Sequence, residues 1–200
     1  MYYEEPTPHV FIEKDALQLQ VYKDILENLP ETSEYEKTTY HRSRLMLNIL
    51  QPDYLGFWGD IIQAYLLPAA EDILSIFGKK SIKEYSVEIW LIRDLDNYYI
   101  PPHTDIKQRV ISMLYYLPED NSIEDFGTSL CVHKDKDFTS DGSEWYEKER
   151  AEEFTIVKKS LFSYNSMFAF PRTDTSFHCV PKIDKPGIER NTLLVMVKEK

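Results

Sequence analysis

Up to about residue 80 the apolar positions follow a helical spacing; beyond it they fall into short strand-like runs. Leu17, Val21, Ile25 and Leu29 recur every fourth residue. That stripe predicts a helix that starts after Asp15, a natural N-cap, and stops before Pro30. A second helical stretch opens near Pro52 and carries Trp58, Ile61, Ile62, Tyr65 and Leu66. It meets Pro68 and continues through Ile73, Leu74 and Phe77 to Gly78. Pro68 lacks an N–H, so it kinks this helix or opens a new one.

After Gly78 the β-branched and aromatic residues gather at 86–95, 103–105, 109–118, 128–133, 154–157, 166–171, 176–181 and 191–197. Strands this short and this evenly spaced predict a sandwich or jelly roll. The run RVISMLYYLP (109–118) is apolar on both faces, as expected of a sheet with a functional interior on one side and helices on the other. The expected fold is therefore mainly β with N-terminal helices, built on a double-stranded β-helix (jelly-roll) core. It forms one domain, with a helical support region at 1–80 and the core at 86–198. The densely charged segment 134–153 reads as a solvated loop with a short helix, or as a lid with Trp145 and Tyr146 as contact residues.

Composition narrows the function. A net charge of −11 argues against a nucleic-acid groove and against an anionic membrane surface. The start, MYYEEPTPHV, is acidic and broken by prolines, and no apolar run approaches a membrane span. Two cysteines, Cys131 and Cys179, are too few for a disulfide framework, so a reduced, cytoplasmic setting is expected.

The candidate chemistry lies in PPHTDIKQRVISMLYYLPED (101–120). Residues i and i+2 of a strand share a face, so His103 and Asp105 can both aim inward and hold one divalent ion. With a further histidine they make the two-His-one-carboxylate set of non-heme Fe(II) oxygenases, which leaves three coordination positions open. A lone H-x-D is weak evidence, and His133-Lys134-Asp135 supplies a second. Four predicted strands separate His103 from His178, against two between His133 and His178. A jelly roll brings strands four apart side by side, so the site is assigned to His103, Asp105 and His178. Cys179 then faces away from the metal, on a strand next to the one carrying Cys131. His9 and His41 read as surface or packing residues.

H-T-D, the ISMLYYLP and GTSL strands, FAFP, the distal His178 and an Arg before the last strand together resemble the Fe(II)- and 2-oxoglutarate-dependent dioxygenases, in the prolyl-hydroxylase-like branch. The resemblance covers about residues 86–198. It implies iron ligation by His103, Asp105 and His178. It implies that Arg190 pairs with the distal carboxylate of 2-oxoglutarate through two charge-assisted hydrogen bonds, assisted by Thr192 and Tyr116. The residue meeting the 2-oxo acid end stays open between Arg93 and Tyr98. Fe(II) and Arg190 then balance Asp105 and doubly ionised 2-oxoglutarate, so the set can be buried.

The activity implied is hydroxylation of a C–H bond by O2, with succinate and CO2 released. Asp105 argues against halogenation, because halogenases lack that carboxylate. The sequence does not name the substrate; a small metabolite or sugar-type molecule is preferred, and a protein prolyl or other side chain is the alternative. Lys107, Arg109 and Arg172 are basic residues near the site that can meet an anionic substrate or serve as loop charges. From another class, a jelly-roll module that binds a metal or ligand without turnover fits the same strands, although such a module has no need for all four of His103, Asp105, His178 and Arg190.

Overall fold

A computed structural model of the chain describes residues 1–38, 43–120 and 123–200, with Lys148 as backbone alone. Among the described residues there are three α-helices, α1 (Leu19–Glu27), α2 (Leu55–Ile61) and α3 (Leu67–Ile76). The strands are β1 (Tyr2–Tyr3), β2 (His9–Ile12), β3 (Glu36–Lys37), β4 (Arg44–Asn48), β5 (Ser86–Asp94), β6 (Ile100–His103), β7 (Arg109–Tyr116), β8 (Ser129–His133), β9 (Phe154–Lys159), β10 (Ser166–Pro171), β11 (His178–Val180) and β12 (Arg190–Lys198). They form two antiparallel sheets, one of eight strands in the order β1-β2-β10-β7-β12-β5-β4-β3 and one of four in the order β6-β11-β8-β9.

The helical stretches stand where the apolar stripes lie, with one correction. Asp15 is no N-cap: it sits at φ 56 in the turn before the helix, and α1 begins at Leu19. Asn165 holds that turn instead, accepting from the Leu17 N–H and donating to the Leu17 carbonyl. Pro68 does open a new helix: it stands in the first turn of α3, after the π turn that separates α3 from α2. Between α2 and α3 the backbone widens into a π turn over Ile62–Leu66, and Leu67 N–H bonds to Ile62 O, five residues back. Widening just before Pro68 gives its ring room and absorbs the missing donor.

The first eighty residues are also not purely helical. Within them β2 pairs with β10 and β4 pairs with β5, extending the large sheet at both sides. β4 reads Arg-Leu-Met-Leu-Asn with only its two leucines buried, a strand alternation too short to stand out beside the helical stripes.

Parity along the large sheet divides the molecule. Leu45 and Leu47, Ile89 and Leu91, Ile111 and Met113, and Leu193, Val195 and Val197 face the helices in one apolar core with Ile25, Trp58, Leu66 and Leu74. From Ser112 onward on β7, and along the inner parts of β4, β5 and β12, the even-numbered side chains face the small sheet, where Tyr116, Phe168 and Phe170 pack with Leu130 and Val180. At the start of β7, beside the register shift between Val197 and Lys198, the parity reverses, Val110 joining the helix-side core and Arg109 lining the interior. A third cluster lies around Phe177, Cys131 and Cys179, with Tyr146 from segment 134–153. The two cysteines are free thiols, and Cys131 donates to Cys179 Sγ at 3.2 Å. No helix among the described residues is long and apolar enough to cross a membrane.

Neighbouring leucines on β12 test this division. Leu193 is sealed beneath the helices and Leu194 faces the interior between the sheets. Leu193→Ala is expected to lose about 2–5 kcal/mol, the range for a closed core cavity. Leu194→Ala opens onto existing space and should lose less, about 2 kcal/mol, the low end of that range. Urea unfolding of the two variants reads the difference.

Candidate active site

β6 and β11 are neighbours, and His103 and His178 are direct partners across them. Their rings lie 4.2 Å apart between centroids. Asp105 is two residues beyond the end of β6 rather than within it, so its position comes from the loop and not from strand alternation. One ligand atom from each of His103, Asp105 and His178 lies within 4.8 Å of the others, and all three residues are buried.

Hydrogen bonds fix how these groups present themselves. His103 Nδ1 is 3.0 Å from the Pro101 carbonyl and His178 Nδ1 is 3.1 Å from the Ser176 carbonyl. A carbonyl only accepts, so each Nδ1 carries the proton and each Nε2 keeps its lone pair for a metal. Asp105 Oδ1 accepts from Arg109 Nη1 at 2.6 Å, and Oδ2 accepts from Ser112 Oγ at 2.8 Å. His178 Nε2 stands 3.9 Å from Oδ1.

Burial, then the neighbouring His178, pushes the His103 pKa down to about 3. Burial lowers that of His178 as well. For Asp105 burial acts upward, but Arg109, the two imidazoles and Ser112 outweigh it and hold the carboxyl well below its usual range. The three groups are thus neutral, neutral and anionic at neutral pH, the protonation states a divalent cation needs.

Arg190 lies deeper in the same cavity, 1% exposed. Its Nε donates to the Phe126 carbonyl at 2.7 Å and its Nη1 to Asp94 Oδ2 at 2.8 Å. Arg44 binds Asp94 from the other side, Nε to Oδ1 at 2.6 Å and Nη2 to Oδ2 at 2.9 Å. Register explains the row, since Asp94 pairs with both Arg44 and Arg190 across adjacent strands. Arg190 therefore keeps one nitrogen, Nη2, and it is buried without a hydrogen-bond partner. The buried hydroxyls of Thr192 and Thr128, on the same cavity, are also unpartnered. Three orphaned polar groups around one space are what a bound carboxylate would satisfy.

Other expectations are revised. Tyr116 does not offer its hydroxyl to the cavity. The Ser160 hydroxyl donates to the Thr128 carbonyl, so Tyr116 gives its own proton to Ser160 and accepts from the Thr128 N–H. Its ring instead lies under the Arg190 guanidinium, 5.5 Å away. Arg93 is on the helix side of β5, bonded to Thr32, Asn191 and the Pro30 carbonyl, so it cannot meet a ligand in the cavity. Tyr98 is buried with its ring 4.3 Å from the Arg44 guanidinium. His133 accepts from the Asp135 N–H and pairs with Glu153, which closes a turn and not a metal cluster. His9 is a packing residue bonded to the Thr7 carbonyl and stacked on Tyr3; His41 lies outside the described residues.

Segment 134–153 clamps onto the cluster largely through backbone atoms. Tyr146 N–H bonds to the Pro102 carbonyl at 2.9 Å, and Arg172 ties the Ser140 and Asp105 carbonyls together. Gly142, at φ +83, passes so close that a Cβ there would overlap the Asp105 carbonyl. Trp145 lies 5.6 Å from the His103 ring. Of Lys107, Arg109 and Arg172, Arg109 alone lines the cavity. Ser112, Asp94, Arg44 and Thr128 were missed. Ser112 and Asp94 carried a usable signal, a polar residue on the interior face of an otherwise apolar strand.

No protein-family model and no curated protein matches the chain. Solved structures do. A Pseudomonas putida prolyl-4-hydroxylase aligns over 96% of this chain and 92% of its own, at TM-score 0.63 and 13% identity. An oxidoreductase of the 2OG-Fe(II) oxygenase family from Burkholderia pseudomallei aligns over 95% and 84%, at 0.57 and 15%. HygX from Streptomyces hygroscopicus, solved with nickel and 2-oxoglutarate bound, aligns over 96% and 83%, at 0.56 and 12%. At these identities the likeness is one of fold.

The depressed histidines make stability depend on pH. In the unfolded chain they take up protons near the ordinary value of 6.5, and in the folded chain they do not. Stability of the metal-free protein is expected to fall as pH drops below 6.5, by up to about 1.4 kcal/mol per pH unit for each histidine. Asp105 adds a further loss below the ordinary carboxylate value. The double substitution His103→Gln with His178→Gln should flatten the slope between pH 6.5 and 4.5 in urea titrations. Buried His9, lowered in the same direction, leaves a residual slope.

Proposed function

We propose that the protein is a non-heme Fe(II)- and 2-oxoglutarate-dependent oxygenase that hydroxylates a C–H bond of a small molecule. One observation carries this reading. A cation-ready His-Asp-His cluster and a buried guanidinium with an unsatisfied nitrogen share one cavity of about 350 Å³. A metal site alone would not require Arg190, and a carboxylate pocket alone would not require the cluster.

In this reading His103 Nε2, His178 Nε2 and the Asp105 carboxylate hold Fe(II). Ser112 and Arg109 keep Asp105 in place. Arg190 Nη2, with the hydroxyls of Thr192 and Thr128, takes the distal carboxylate of 2-oxoglutarate, and Tyr116 acts as a positioning residue beneath Arg190. Bound together, iron and 2-oxoglutarate supply the activation of O2, one oxygen entering the substrate and the other succinate, with CO2 released. Trp145 and segment 134–153 serve as the lid that limits water at the cluster.

The two sheets are taken as a double-stranded β-helix core at 86–198, supported by residues 1–80 within a single domain. The free thiols of Cys131 and Cys179 suit a reduced, cytoplasmic setting. A small-molecule substrate is favoured because HygX has been crystallised with hygromycin B and the epimerase SnoN with nogalamycin RO, both on this fold. A protein side chain is the second reading, supported by the fold likeness to the prolyl-4-hydroxylase.

Anaerobic titration of the apoprotein with Fe(II) and 2-oxoglutarate should give a weak visible charge-transfer band. His178→Ala and Asp105→Ala should abolish it. Arg190→Ala should raise the 2-oxoglutarate needed by about a hundredfold, the scale for losing a buried charged partner. Iron binding with no band would indicate a metal site of another kind, and no binding would favour a non-catalytic module.

A further inference from the structure

The cavity does not end at the metal cluster. It runs along the interior face of the large sheet over Met46, Ile92, Leu194 and Met196. Ile92, Leu194 and Met196 form an apolar cluster of their own with Trp90 and Leu114 at its edge, separate from the core between the sheets. These four lining side chains offer no hydrogen-bond donor and no acceptor beyond a weak thioether sulfur, so a sugar laid there would leave most of its hydroxyls unpaired. Such a surface selects an apolar body.

Charge adds the second requirement. Among the described residues the cavity is lined by Arg44, Arg109 and Arg190 and by one acid, Asp105. Arg44 and Arg190 share Asp94, which leaves that row one positive charge, matched by the distal carboxylate of 2-oxoglutarate. Fe(II) is matched by Asp105 and the other carboxylate. On that count one positive charge is left over, and it is that of Arg109, whose partner Asp105 also serves the metal. Its Nη1 is engaged with Asp105 and, at 3.4 Å, with Ser112, while its Nε is buried without a hydrogen-bond partner. Ser112 is the cross-strand partner of Met196, so the unmatched cation adjoins the apolar shelf.

We propose that the primary substrate is a small monoanionic acid with an apolar body, the body lying on Met46, Ile92, Leu194 and Met196 and the carboxylate meeting Arg109. This rests on the oxygenase reading for the charge balance, and on the shelf for the apolar body. It replaces the sugar-type preference drawn from sequence.

Calorimetric titration with three probes tests it: 3-phenylpropanoate, 3-phenylpropanamide and methyl glucoside. Each is added anaerobically to the protein with 2-oxoglutarate, with and without Fe(II). The acid is expected to bind about tenfold or more tighter than the amide, the scale of one charge-assisted hydrogen bond, and the glucoside not to saturate. Arg109→Gln should erase the preference for acid over amide. Leu194→Asn should weaken acid and amide alike, and Met46→Asn, at the half-buried edge, does the same if the Leu194 variant fails to fold. Tighter binding of the glucoside, no saturation by the acid, or an acid preference that survives Arg109→Gln would each overturn the proposal. If the charge-transfer band forms and the acid does not bind, the substrate class falls and the oxygenase stands. If the acid binds through Arg109 with no band, the oxygenase reading falls and the acid site stands.

Discussion

The row Arg44–Asp94–Arg190 is the interaction on which the rest of the site depends. Asp94 is fully buried, and Arg190 very nearly so. Neither charge is tolerable alone in the interior, where an unpaired ion costs several kcal/mol. Two guanidinium groups around one carboxylate solve this only in part, because the row keeps a net positive charge. Three neighbouring strands, β4, β5 and β12, are thereby tied at one end. The same bonds aim Arg190 by occupying its Nε and Nη1 and leaving Nη2 over the cavity.

That arrangement is possible because the long central strands of the large sheet have two different jobs. Odd positions such as Ile89, Leu91, Ile111, Met113, Leu193 and Val195 bury aliphatic side chains against the helices, and even positions carry Asp94, Ser112, Arg190 and Thr192 inward. The helix-side core supplies the bulk of apolar burial, so the interior face is free to hold ions, hydroxyls and open space. A one-residue slip of β12 would exchange the two faces, sending Arg190 into the aliphatic core. The long register with β5, unbroken from Arg190 to Lys198, guards against it.

Much of this was legible in the sequence where a pattern repeats. The strands after residue 80 and the helical stripes before it follow from periodicity, and the order of His103, Asp105, His178 and Arg190 follows from resemblance. What escaped is what depends on partners distant in the chain. Asp94 looks like the polar end of a strand until its neighbours on two other strands are known. Tyr116 looks available until Ser160 and Thr128 are found to occupy its hydroxyl. Arg93 and Asp94 are adjacent and both charged, yet only parity against the finished sheet tells which one faces the site.

Segment 134–153 shows the same limit from the other side. Its composition is that of a solvated loop, and most of its charges are exposed. Its hold on the cluster comes from main-chain groups: the Tyr146 N–H, the Ser140 carbonyl, and a glycine where any side chain would collide with Asp105. Backbone atoms are the same in every sequence, so composition cannot reveal such contacts. The one residue type that betrays them is glycine at a positive φ with a neighbour in the way. With six glycines in the chain, Gly142 was the place to ask why a charged loop needs one. The answer is that the loop passes against the backbone of a residue in the buried His-Asp-His cluster.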